Sequence, residues 1–210
     1  MTVRFPHIIG ISGATCSGKS SLARNIRDKL TDKDISIISS DWYYRDLSAL
    51  PPSERERRNF DEPEALEMDL LRRHLEDLTA GRDIFRPVYD FSTHTRTAQA
   101  IQVTPGPVII VEGIFVLYWE AIRQLLNTKV FVFLTDAESL ARRLERDVRE
   151  RGRTQQSVID QYQATVKPMT HKFVVPTKRF ADIVVSGTDP IEESAKLVIS
   201  RIPTIQKNST

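Results

Sequence analysis

The segment Gly13-Ala14-Thr15-Cys16-Ser17-Gly18-Lys19-Ser20 fits the pattern G-x-x-x-x-G-K-[ST], and its flanks restrict the fold more than any other part of the chain. Before it, His7-Ile8-Ile9-Gly10-Ile11 is a short β-branched run closed by Ser12-Gly13, which reads as a buried strand. After it, Ser20 to Leu30 reads as a helix. A strand that turns through glycines into a helix N-terminus makes an anion cradle from backbone N–H groups. In such a cradle Lys19 is expected to reach the β- and γ-phosphates of a nucleotide, and the Ser20 hydroxyl to ligate Mg2+.

Ile35-Ser36-Ile37-Ile38-Ser39, Val108-Ile109-Ile110-Val111, Lys129 to Leu134 and Asp182 to Val185 repeat the buried-strand pattern, with helical or loop material between them. The alternation predicts an α/β fold: a parallel sheet with helices on both faces, in a single domain spanning residues 1–210. Residues 85–104 break the rhythm. Phe85, Tyr89 and Phe91 alternate with polar or small residues around Ser92-Thr93, which predicts a projecting β-hairpin. Ile202 to Thr210 reads as a frayed tail.

Lys plus Arg number 30 and Asp plus Glu 28, a net charge of +2, so there is no bulk basic field of the kind that binds nucleic acid nonspecifically. No apolar run approaches the ~20 residues needed to span a bilayer, and Met1 to Pro6 lacks the apolar core of a secretory signal. These features predict a soluble protein with neither nucleic-acid nor membrane partners. The only cysteine, Cys16, has no intramolecular partner for a disulfide and suits a reducing, cytoplasmic setting.

A phosphate cradle of this kind calls for an acid at the end of a neighbouring strand. Glu112 stands where Val108-Ile109-Ile110-Val111 stops, with Gly113 behind it, and the alternative is an ordinary surface carboxylate. Asp41 follows the strand ending at Ser39 and is a candidate to take an acceptor's proton, or simply a cap of the next turn. Asp61 precedes a helix predicted over Ala65 to Thr79, and with Glu64 three residues on it resembles a capping box. Leu66, Leu70, Leu71, Leu75 and Leu78 on that helix are core by spacing, and His74 carries no function. In "ESLARRLERDVRERGR", residues 138–153, Leu140, Leu144 and Val148 fall on one side of a helix and Arg142, Arg143, Arg146 and Arg149 on another. That stripe is either a solvated face, with pairs such as Glu138–Arg142 and Glu145–Arg149, or a set of cations over a reacting phosphate.

The phosphate loop, "SSDWYYRDL", "NFDEPEAL", "PVYDFSTHTR", "VEGIF", "RRLERDVRERGR" and "VIDQYQATVKPM" stand in an order that resembles the uridine kinases, over nearly the whole chain. The resemblance implies ATP- or GTP-dependent phosphorylation of the 5′-hydroxyl of uridine and cytidine, with Mg2+, and an Arg-rich lid over residues 138–165. It implies Asp41 as catalytic base with Lys19, and Ser20, Glu112 and Asp41 at the metal. The donor would lie on Gly13, Ala14, Thr15, Cys16, Ser17, Gly18, Lys19, Ser20 and Ser21, with Arg146 and Arg151 above it. Asp61 would bind the ribose hydroxyls. Tyr89, His94 and Arg143 would hold the nucleoside, Tyr44, Phe60, Phe91 and Ile114 would line its pocket, and Arg153 and Gln161 would close the lid over it.

Members of that family commonly form homotetramers, which implies a homo-oligomer here. Trp42 departs from the family pattern, which has a small residue after the catalytic Asp, and its ring is expected to narrow the approach to Asp41. Nicotinamide riboside kinases and phosphoribulokinases share the loop and parts of "NFD-x-P-x-A" but lack the full "PVYDF…H…R" run. The guanine-reading N-K-x-D segment of a regulatory nucleotide switch is absent from the sequence.

Overall fold

Val108–Glu112 is buried at every position, and it lies at the heart of the sheet on which the rest of the chain is wound. The computed structural model of the protein describes residues 6–30 and 35–202. The strands are β1 His7–Gly13, β2 Ile35–Ser39, β3 Ile84–Asp90, β4 Thr95–Val103, β5 Val108–Glu112, β6 Thr128–Phe133 and β7 Ile183–Ser186. The helices are α1 Lys19–Lys29, α2 Pro52–Arg55, α3 Met68–Thr79, α4 Glu120–Arg123, α5 Asp136–Arg151, α6 Gln155–Gln161, α7 Lys167–Met169 and α8 Ile191–Ile199. Among the described residues, five strands form one parallel sheet in the order β2-β5-β1-β6-β7. β3 and β4 pair antiparallel in a separate two-stranded sheet, with a register shift between Pro87 and Tyr89.

Both faces of the parallel sheet are covered, so its strands are apolar without a polar side. The strand period of two then assigns side chains to opposite layers. Ile8, Ile109 and Val111 pack with Leu71, Leu75 and Leu78 of α3, while Ile9, Ile11 and Ile110 pack with Leu22 and Ile26 of α1 and Val198 of α8. Register does the rest: Glu112 aligns with Ile11 on one side and Ser39 on the other. The carboxyl ends of β1, β2 and β5 therefore deliver the phosphate loop, the Asp41 turn and Glu112 to one edge.

Three local expectations are corrected. The helix predicted from Ala65 begins at Met68, after a single turn at Pro63–Ala65. An isolated bridge pairs Tyr44 with Leu66, and the Glu67 amide donates to Tyr43 O at 2.8 Å, so the chain is held extended just where the helix was expected to start. Asp61 is consequently no helix cap, and the capping-box pattern with Glu64 does not form. In α5 the buried stripe is Ser139, Arg143 and Asp147, while Leu140 and Leu144 are half-buried and Val148 is 37% exposed. The apolar side of that helix is not its inward side. Glu138 bonds Thr135 in a capping box at the start of α5 instead of bonding Arg142, whereas Arg149 does pair with Glu145. Of the tail predicted over 202–210, residues 203–210 lie outside the described residues, and Ile202 packs against the α1/α8 core.

These burials set different stabilities. Leu75→Ala, at a fully buried site, should lower unfolding free energy by about 2–5 kcal/mol. Val148→Ala should change it by no more than about 0.5 kcal/mol. Urea unfolding followed by circular dichroism measures both, and equal losses would return Val148 to the core.

Candidate active site

Gly18 precedes α1 in a left-handed conformation, and the loop from Ala14 turns back over the helix N-terminus. Lys19 is almost fully buried, and its Nζ donates to Ala14 O at 2.6 Å. Ser20 Oγ donates to Glu112 Oε2 at 3.1 Å, which ties the start of α1 to the end of β5. Glu112 is only 6% exposed, so it is not a solvated strand-end carboxylate. A cavity of about 390 Å³ opens here, bounded by Thr15, Lys19, Ser20, Asp41, Glu112 and Arg146; Cys16, Ser21, Ile114 and Arg142 also line it.

The electrostatics of this cavity are unbalanced. Burial and then Glu112 push the Asp41 carboxyl up to about 6, against the pull of Lys19 and Arg146. Burial lowers the Lys19 ammonium, with Glu112 and Asp41 opposing. Two carboxylates and a hydroxyl thus face one another with a single buried lysine between them. This all-oxygen set suits a hard divalent cation. Among the described residues no three acidic, histidine or cysteine side chains gather to hold a metal, so phosphate oxygens and water would have to complete its shell, as is usual for Mg2+. Gly113 protects the arrangement, because a Cβ there would collide with the Ser40 side chain beside Asp41.

An aromatic cluster stands beside Asp41 and this cavity. Tyr44 stands 5.6 Å from Phe60, 5.5 Å from Tyr89 and 6.5 Å from Phe91 between ring centroids, and Phe60 stacks on His94 at 4.5 Å. Tyr44 is the ring of the cluster that feels Asp41: burial raises its phenol, and Asp41, Asp61 and Tyr89 add to the rise. The Tyr89 hydroxyl is buried without a hydrogen-bond partner among the described residues. Burial raises Asp61 as well, opposed by Arg143, and Thr165 Oγ1 lies 3.5 Å from Asp61 Oδ2.

Arginines from the hairpin fix that cluster to the Asp41 turn. Arg96 donates to Tyr44 O at 3.0 Å, Tyr43 O at 3.3 Å and Glu67 Oε2 at 2.6 Å, while its own amide donates to Asp46. The Arg86 guanidinium sits 3.6 Å from the Trp42 ring centroid. Trp42 packs under Arg86 and against the core and does not line the cavity, which corrects the expectation that it narrows the approach to Asp41. His74 receives or donates a 2.9 Å hydrogen bond with Tyr43 and does not line the cavity.

The arginines expected to share one stripe divide into separate groups. Arg142 donates to Gly187 O at 2.8 Å, and Arg146 reaches the phosphate cavity. Arg143 is buried, with Nη2 donating to Gln161 Oε1 at 3.0 Å, and Arg153 donates to the same oxygen. Arg151 is close enough to pull Asp41 downward, and Arg149 points outward to Glu145 and Glu150.

Two features had escaped the sequence reading. A second cavity of about 240 Å³ continues past Gly18 and Ser21 to Arg142, Ser186, Gly187 and Asp189. Gly187 directly follows β7 at the same sheet edge, a position that the rule for ligand sites in open α/β sheets would have flagged. Asp147 is fully buried among arginines, and its spacing of four from Arg143 and Arg151 was readable in "RRLERDVRERGR".

The model of the Phosphoribulokinase / Uridine kinase family matches residues 8–203. The uridine kinase of Tolumonas auensis is 48% identical over 199 residues, 93% of each chain. That of Ligilactobacillus salivarius is 42% identical over 197 residues, covering 94% of this chain and 92% of the relative. Phosphoribulokinase from Rhodobacter spheroides superposes with a TM-score of 0.67 at 18% identity, over 90% of this chain and 74% of that one, a likeness of fold. The motif, the sheet edge and these relatives agree: the chain belongs to the phosphoribulokinase/uridine kinase family.

Proposed function

We propose that the protein transfers the γ-phosphoryl group of ATP, or of GTP, to the 5′-hydroxyl of uridine and cytidine, giving UMP and CMP for pyrimidine salvage. The observation that carries this reading is the cluster of Tyr44, Phe60, Tyr89, Phe91 and His94 rings beside the Asp41 cavity, whose Tyr44 feels the Asp41 charge. The names of the relatives supply the substrate class. Donor phosphates would lie on the Gly13–Ser21 loop and its purine in the second cavity, against Arg142 and Gly187.

Phosphoryl transfer asks the protein for position and charge. Asp41 accepts the proton of the attacking hydroxyl and orients its oxygen toward the γ-phosphorus. Lys19, Arg146 and Arg151 balance the charge that spreads over the transferred oxygens. Ser20 and Glu112, with Asp41 alongside, would hold Mg2+, which when bound supplies further neutralisation of the phosphates. Asp61 takes the ribose hydroxyls, and Arg143, Arg153 and Gln161 close over the nucleoside and exclude water that would otherwise accept the phosphoryl group.

Uridine offers an acceptor at position 4 and cytidine a donor. The Tyr89 hydroxyl, without a partner, and the His94 imidazole, kept neutral because burial lowers its pKa, can each serve as donor or acceptor. We assign the protein to the cytoplasm on its single, half-buried cysteine. Self-association, as in the homotetramers of the family, is supported by Phe85 and Ile101 of the hairpin, which are 62% and 44% exposed.

Asp41→Asn should fold and bind ATP, and its kcat for uridine should fall by about 10²–10⁴. A coupled ADP-release assay measures this, and near-normal turnover would remove Asp41 from the chemistry. His94→Ala should raise uridine KM about tenfold with ATP KM within about twofold. In the same assay purine nucleosides should be poor acceptors. Adenosine or nicotinamide riboside used as well as uridine would replace the pyrimidine assignment.

A further inference from the structure

Asp147 is the one carboxylate of α5 with no exposed surface, and four guanidiniums surround it. Its two oxygens serve different partners. Oδ1 lies 2.8 Å from Arg146 and 3.5 Å from Arg151, the arginines on the donor side. Oδ2 lies 3.5 Å from both Arg143 and Arg153, the arginines that converge on Gln161 on the nucleoside side. Helical spacing supplies the Arg143 and Arg151 contacts, at four residues to either side. Arg153 returns only because Gly152 ends α5 in a left-handed conformation, φ 65°, and turns the chain back.

We propose that Asp147 is a positioning residue that couples donor binding to nucleoside binding. The inference rests on the assignment of the two arginine pairs given above. A carboxylate is rigid and planar, so rotation that follows Arg146 and Arg151 toward donor phosphates must also move Oδ2 relative to Arg143 and Arg153. The contacts are unequal in a way that leaves room for this. Oδ1 accepts a hydrogen bond from Arg146 Nε at 2.8 Å, whereas Oδ2 has no hydrogen bond and two long ion contacts. Four guanidiniums share this one carboxylate, so each ligand's charge or contacts settle the pair that the other needs. Asp147 touches neither substrate, and its effect is a linkage between two sites.

The test is a thermodynamic cycle by titration calorimetry: uridine binding with and without the β,γ-imido analogue of ATP and Mg2+, in wild type and Asp147→Asn. Wild type should bind uridine at least about tenfold more tightly with the analogue present. In Asp147→Asn that gain should fall below about twofold, uridine affinity without the analogue should stay within about threefold, and kcat should drop by about 10². A merely structural role would lower thermal stability and leave the tightening intact, and that result overturns the coupling. If Asp147→Asn does not fold, Arg151→Gln carries the test, because Arg151 is half-exposed and lies on the donor side. A uridine Kd raised only in the presence of the analogue supports the linkage, and an unchanged Kd in both conditions overturns it. Wild-type turnover separates the two readings. An active wild type whose Asp147→Asn variant keeps the tightening overturns the coupling alone. A wild type inactive toward every pyrimidine nucleoside overturns the substrate assignment and the coupling with it.

Discussion

The hydrogen bond from Ser20 to Glu112 joins the first turn of α1 to the end of the most deeply buried strand, and the geometry of the active-site edge depends on it. β5 is covered on both faces and paired on both sides, so Glu112 has no freedom to move away from Lys19 and Asp41. Burial, and after it the charge of Glu112, lifts the Asp41 carboxyl to about 6. Burying like charges is unfavourable in a resting protein unless a counter-charge arrives. The sheet edge thus sets two carboxylates beside Lys19 and under Arg146, while the loop above it ends in the N-terminus of α1, where backbone N–H groups suit an anion.

The hairpin shows a different way to hold a functional element. Strand β4 is exposed along most of its length, and a two-stranded sheet buries too little apolar surface to stay in place alone. Arg96 compensates by donating to two backbone carbonyls and a carboxylate around Tyr43, Tyr44 and Glu67, and Arg86 by covering Trp42. Both arginines grip the turn that carries Asp41. The aromatic cluster and Asp41 therefore share one local frame, although they come from a hairpin and from the end of a sheet strand.

The legible parts of the sequence were those where one short-range signal decides the outcome. Gly18-Lys19-Ser20 after an apolar strand fixed the loop, and the run ending at Glu112 fixed the acid, because strand, stop and glycine are adjacent. Asp61 misled as a helix cap because its rival signal is long-range: the bridge between Tyr44 and Leu66 outweighs the local capping pattern. Helix α5 misled for a related reason. Counting leucines on a helical wheel assumes that apolar residues face inward, but α5 packs over a polar loop, and the inward face is the one that can satisfy Thr15 O and Gln161. Trp42 was misjudged because its partner, Arg86, lies 44 residues away in a hairpin whose docking no local pattern reveals.

That polar inward face sets α5 apart from the sheet in how it is held. The sheet layers are held by apolar burial, which has no alternative partner in water and so keeps one arrangement. α5 is held by a serine hydroxyl on Thr15 O, a guanidinium on a glutamine and a carboxylate among arginines. Each of those groups can exchange its protein partner for water, or for a phosphate oxygen, with a small net change in free energy. α5 therefore keeps its place through polar partners, where the sheet keeps its own through apolar burial.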